Sequence, residues 1–82
     1  MDELLKTIIT DLYSMEEDNS IPKNIRIKIK KVIDTLSVNN KSLNLVISRS
    51  LEELNEIVDD ANVPQYTKMQ IWSIVSQLES KD

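Results

Sequence analysis

Ile25-Arg-Ile-Lys-Ile-Lys-Lys-Val-Ile33 decides the fold, because its pattern fits two structures. The first six residues alternate apolar and basic, the period of a half-buried strand. Ile25, Ile29, Val32, Ile33 and Leu36 also follow one another at the 3.6-residue spacing of a helix. A second copy of the segment separates the two. Asn62-Val-Pro-Gln-Tyr-Thr-Lys-Met-Gln-Ile-Trp-Ser-Ile-Val-Ser-Gln-Leu78 aligns on Ser20–Leu36 without a gap, Val63 on Ile21 at an offset of 63 − 21 = 42 residues. Pro64 falls on Pro22, Lys68 on Arg26, Ile71 on Ile29, Ile74 on Val32, Val75 on Ile33 and Leu78 on Leu36. The copy, Met69-Gln-Ile-Trp-Ser-Ile-Val75, loses the alternation and keeps the helical stripe. Both segments are therefore expected as helices.

Outward from these segments the chain is punctuated consistently. Each is led in by a proline, whose missing N–H has no partner in a first helical turn and whose φ is already suited to one. Ser20 and Ile21 are both open as the cap before Pro22. Upstream, Leu4, Leu5, Ile8, Ile9, Leu12 and Met15 make one apolar face with Tyr13 on its flank, and Glu17-Asp18-Asn19-Ser20 breaks it. Downstream, Asn39 and Asn40 suit a left-handed or Asx turn, and Ser42 is the expected N-cap of a further helix. The face of that helix is Leu43, Val46, Ile47, Leu51, Leu54, Ile57 and Val58. Leu5, Ile9, Leu12 and Met15 fall on Ile47, Leu51, Leu54 and Ile57 at the same offset, so the repeat includes the first helix of each pair.

Four helices are thus expected, at about 2–16, 22–37, 42–59 and 64–80. Two αα-hairpins that cannot bury their apolar faces alone would pack on each other as an all-α, up-and-down four-helix bundle in a single domain. Two units are too few for a solenoid. The expected core is Leu5, Ile8, Leu12, Ile29, Val32, Ile33, Leu36, Ile47, Leu51, Leu54, Ile71, Ile74, Val75 and Leu78.

Composition removes several classes of function. The 82 residues include no His, no Cys and no Gly. Without His or Cys the commonest general base and the best nucleophile are missing, and no serine lies in a Gly-x-Ser-x-Gly turn. No enzyme activity and no cofactor is expected. No glycine-cradled phosphate loop is available. Glu52, Glu53, Glu56, Asp59 and Asp60, with Glu16, Glu17 and Asp18, are the groups that could hold a metal. The Glu-x-x-His pair of di-metal bundles is absent, so they read as a solvated acidic face and no metal site is expected. No apolar run approaches the ~20 residues of a bilayer span. The acidic start Met1-Asp2-Glu3 is unlike a signal peptide, and the expectation is a cytoplasmic protein without a membrane association.

Charge is segregated along the chain. Residues 1–18 carry 1 − 6 = −5, residues 19–42 carry 6 − 1 = +5, residues 43–62 carry 1 − 5 = −4, and residues 63–82 carry 2 − 2 = 0. Lys23, Arg26 and Lys30 form a basic stripe on one side of their helix, which could track the phosphates of a nucleic acid. Against this stand a net charge of −4 and a helix flanked in a bundle by two acidic ones. Nucleic acid is accordingly the second functional reading. The first rests on Ile27, Tyr66, Met69 and Trp72. Ile27 lies opposite the core stripe of its helix, Met69 occupies the same place in the copy, and Trp72 sits on the flank. Either these residues are buried because their helices form an inner pair, as tryptophan usually is, or they form a surface for a protein partner or a second copy. The expected function is a small non-enzymatic helical interaction module.

The segment Asn62–Glu79, with Asp18-Asn-Ser-Ile-Pro-Lys-Asn-Ile-Arg26 upstream, resembles a family of small archaeal proteins, uncharacterised protein family 0147. The similarity covers essentially the whole chain and is most specific in the proline-led helix containing Ile71-Trp72 and ending Val-Ser-Gln-Leu-Glu79. It implies an all-α four-helix fold and an archaeal, cytoplasmic source, and carries over no catalytic residues. The run between Lys23 and Lys31 is more basic than the family pattern, so that stripe concerns this protein.

Overall fold

The computed structural model describes residues 3–37 and 42–81. Four helices make up the described chain: α1 (Glu3–Glu16), α2 (Lys23–Leu36), α3 (Leu43–Val58) and α4 (Gln65–Lys81). The alternating segment Ile25–Lys30 is helical, as its continuation at 3.6-residue spacing requires. Asn39 and Asn40, the expected turn residues, lie outside the described residues.

The helix starts show what each residue type contributes. Ser42 caps α3, its hydroxyl accepting from the Leu45 N–H at 3.2 Å. Neither Ser20 nor Ile21 caps α2; Pro22 itself does, with φ −54° and ψ 144°. Its carbonyl accepts from the N–H groups of Ile25 and Arg26, both at 3.0 Å, so the proline stands just before the first turn and opens the hydrogen-bond ladder. The Pro64 carbonyl does the same for Lys68 at 3.1 Å.

Close helix packing follows chain order, α1 on α2, α2 on α3 and α3 on α4. The result is an all-α four-helix bundle measuring 32 × 19 × 17 Å. Its core gathers apolar residues from every helix. Twelve of the fourteen expected core residues are buried; Leu51 and Val75 are half-buried at the edge of their stripes, packed against the core. Met15, Ile21, Ile25, Val46, Ile57 and Val63 complete the interior. Ile21 and Val63 belong to the connections, where they plug the end of the bundle. Leu43, expected on the core face, is exposed, because it begins α3 a turn short of Val46, the first residue of that helix to reach the interior.

Candidate interaction surfaces

Two aspartates hold the connections at one end of the bundle. Between α1 and α2 the Asp18 carboxylate accepts from the Ser20 N–H at 2.9 Å and the Ser20 hydroxyl at 2.6 Å. The Ile21 N–H donates to the Asp18 carbonyl at 3.1 Å. Between α3 and α4 the Asp60 carboxylate accepts from the Asn62 N–H at 2.8 Å, and Val63 N–H donates to the Asp60 carbonyl at 3.2 Å. These are Asx turns. The Ser20 hydroxyl and N–H hold the Asp18 carboxyl below the ordinary aspartate range, and the Asn62 N–H, helped by the Lys28 ammonium, does so at Asp60. The Tyr66 hydroxyl, at the start of α4, bonds to the Ser20 hydroxyl and donates to Asp18 Oδ2 at 3.5 Å. It ties α4 to the opposite connection. The Asp-x-Ser and Asp-x-Asn spacing was present in the sequence; the tyrosine that reaches one of them was not foreseeable from local pattern.

Two of the three residues in the basic stripe are engaged at home. Lys23, Arg26 and Lys30 line a shallow groove of about 260 Å³ with Glu16 and Ile27. Arg26 Nε donates to the Ile21 carbonyl at 3.0 Å and its guanidinium reaches Asn19 Oδ1 at 3.4 Å. Lys30 Nζ lies 2.7 Å from Asp34 Oδ1. That hydrogen bond and charge raise its pKa, with lesser help from Tyr13 and Glu16. Of the three only Lys30 is ion-paired, and Lys23 has neither an ion pair nor a side-chain hydrogen bond among the described residues. Two further lysines of α2 reach the α3 side, Lys28 to Asp60 at 3.5 Å and Lys31 to Glu53 at 3.9 Å.

Glu53 corrects the expectation of a uniformly solvated acidic face. Glu52, Glu56 and Asp59 are exposed and Asp60 is half-buried, but Glu53 is buried. It lies on the side of α3 turned toward α2, and Lys31 and Arg49 approach its Oε2 at 3.9 and 4.0 Å. Among the described residues no three acidic side chains converge closely enough to hold a metal ion. No described helix is long and apolar enough to cross a membrane.

The apolar candidates lie outside the core of the monomer. Ile27 is 61% exposed, Met69 60%, Trp72 48% and Tyr66 46%. Burial of Met69 and Trp72 in an inner helix pair is therefore not what the single chain does: among the described residues α4 packs closely on α3 alone. Tyr13, Leu43 and Leu45 are further large apolar or aromatic side chains on the surface.

A second groove, of about 400 Å³, runs between α1 and α4 and was not anticipated. Asp11, Ser14 and Met15 line it from α1, and Gln70, Ser73, Ile74 and Gln77 from α4. α1 and α4 are not a closely packed pair; Asp11 and Ser73, which line the groove, stand 42 positions from Glu53 and Lys31, the pair that spans the seam between α2 and α3.

The chain matches the model of Uncharacterised protein family (UPF0147) over residues 1–80. It belongs to that family. A relative from Methanosarcina mazei is 33% identical over 78 residues, covering 95% of this chain and 84% of its own length. Another, from Thermoplasma volcanium, is 32% identical, covering 94% of this chain and 86% of its own. Two crystal structures superpose closely. That of the unknown-function protein MMP1188 has a TM-score of 0.90 at 33% identity, with 95% of this chain and 89% of that one covered. That of a family member from Thermoplasma acidophilum gives 0.91 at 30% identity, with 96% and 93% covered. The family and both structural neighbours are uncharacterised in function. UPF0147 membership agrees with the four-helix fold and with archaeal relatives.

Proposed function

We propose that this UPF0147 protein is a small non-enzymatic interaction module of the cytoplasm that binds a protein partner, or a second copy of itself, through apolar residues on the outside of the bundle. The observation that carries this is the exposure of Met69 and Trp72 on a helix whose core side is already filled by Thr67, Ile71, Ile74 and Leu78. Tryptophan and methionine are enriched at protein interfaces and depleted on free surface. Binding to nucleic acid through the stripe is disfavoured because Arg26 and Lys30 already have partners within the chain. The two helical pairs read as copies of one unit, which the matching bonds of the two Asp-led connections support. In that view the second copy has put Trp72 where the first has Lys30, gaining an anchor in place of a charge.

Immobilised protein incubated with an extract of its own cells tests this. Specific proteins retained after nuclease treatment and lost with Trp72→Asp are expected. Retention that disappears with nuclease and survives Trp72→Asp, but not Lys23→Glu, would overturn the proposal in favour of nucleic acid.

A further inference from the structure

We infer that the occupant of the α4 face is a second copy of this chain, seated antiparallel on α4 about a two-fold axis; this rests on the partner-binding function just proposed. The first support is where the residues point. At ~100° per residue, Met69 lies about 170° and Trp72 about 130° from the mean direction of the buried Thr67, Ile71, Ile74 and Leu78. Met69 faces straight outward with Trp72 beside it, while among the described residues α3 is the only close helical neighbour α4 has. A helix carrying apolar residues on two sides is satisfied only by a partner on each.

Charge selects a second copy as that partner. In a two-fold interface each patch meets itself, so a face with net charge repels its own image. Counting Asp, Glu, Lys and Arg, α1 (Glu3–Glu16) has 1 − 3 = −2, α2 (Lys23–Leu36) has 5 − 1 = +4 and α3 (Leu43–Val58) has 1 − 3 = −2. α4 (Gln65–Lys81) has 2 − 1 = +1, the smallest net charge of the four. From Gln65 to Ser80 its charges are one base, Lys68, and one acid, Glu79, so this stretch can approach its image with little repulsion. The two charges also complement each other. Lys68, Trp72 and Glu79 fall within about 40° of one another on the same flank of the outward face. A two-fold axis crossing the helix midway between 68 and 79 brings each Lys68 opposite the other copy's Glu79, with the two Trp72 side chains beside the axis. Neither Lys68 nor Glu79 has an ion pair within the described chain. A seam one helix long, about 25 Å for 17 residues, falls short of the ~800 Å² per partner of a standard interface. The dimer is therefore weak and concentration-dependent.

Sedimentation equilibrium over a roughly thousandfold range of concentration should show monomer converting to dimer, with the emission of Trp72 shifting blue in step. Trp72→Asp should stay monomeric at the highest concentration with an unchanged circular dichroism spectrum. Lys68→Glu and Glu79→Lys should each weaken the dimer about 5- to 10-fold, two like-charge contacts being introduced per dimer, and the double exchange should bring it back to within about twofold of the parent. A chain that remains monomeric overturns the inference, as does assembly beyond a dimer or a double exchange as weak as its single variants. Fluorine NMR of the chain carrying fluorotryptophan at position 72, in an extract of its own cells, separates the two levels. A shifted or broadened resonance from a chain monomeric when pure overturns the dimer alone. A resonance unchanged by the extract, again from a monomeric chain, overturns the wider partner-binding function as well.

Discussion

Ile71→Asp and Trp72→Asp change neighbouring residues of α4 and should have opposite consequences. Ile71 is fully buried, while Trp72 is 48% exposed. Removing the isoleucine side chain forfeits about 1.5–3 kcal/mol of burial. The new carboxylate would stand within the apolar core cluster, so keeping it charged, or forcing it to bind a proton, adds several kcal/mol more. The sum, upward of about 5 kcal/mol, compares with a total stability of about 4–12 kcal/mol for a chain of this length. Ile71→Asp should therefore be largely unfolded or lose at least half of its denaturation midpoint. Trp72→Asp places a charge already in water and should stay within about 1 kcal/mol of the parent. Ile74→Asp falls between: Ile74 is buried, yet it lines the floor of the α1–α4 groove, from which a carboxylate can reach solvent. Urea titration followed by far-ultraviolet circular dichroism measures all three, at the lowest usable concentration so that self-association adds nothing. A cooperative Ile71→Asp variant with a near-parental midpoint, beside a collapsed Trp72→Asp, would show that the rotation assigned to α4 is wrong.

Other expectations follow from the caps and from the buried hydroxyls. Ser42→Ala removes the side-chain acceptor for the Leu45 N–H and should lower stability by about 1 kcal/mol, seen as a lower urea midpoint at unchanged slope. Ser50 and Thr67 are fully buried with hydroxyls that have no hydrogen-bond partner; Ser50→Ala and Thr67→Val should each be neutral or stabilising, because an unmet polar group is removed from the interior. Asp18 and Asp60 have folded pKa values below their unfolded ones, so their contribution is complete above the unfolded value, about 3.9, and is lost as pH falls through the folded values. Stability should be level with respect to these two groups above about pH 5 and decline in the acid range below it. Asp18→Asn with Asp60→Asn should flatten that decline, and an unaltered acid limb in the double variant would show that the two carboxylates are not responsible.

Local chemistry was legible where one side chain acts on its own backbone. Ser42 was readable as a cap because a serine before an apolar periodic run has an N–H to satisfy three residues on. The helical reading of Ile25–Lys30 followed from a stripe that outlasts the alternation, and the prolines announced two helix starts to within a residue. Leu43 was misplaced for a matching reason: periodicity assigns a residue to a face and says nothing of how far along the helix the opposing surface extends. Glu53 was misread because composition treats every acid of α3 alike, although one of them faces α2.

From the order of its residues alone, this chain determines four amphipathic helices, two proline-led starts, a core stripe on each helix and the alternation of charge from one helix to the next. All of these depend on interactions within about four residues, where backbone geometry converts spacing directly into direction. Only the tertiary structure decides that Met69 and Trp72 are left exposed, that Tyr66 reaches the α1–α2 connection, and that α1 and α4 stand apart across a groove while α2 and α3 close together. Those outcomes depend on which helix lies beside which, and that is not encoded in the periodicity of any one segment.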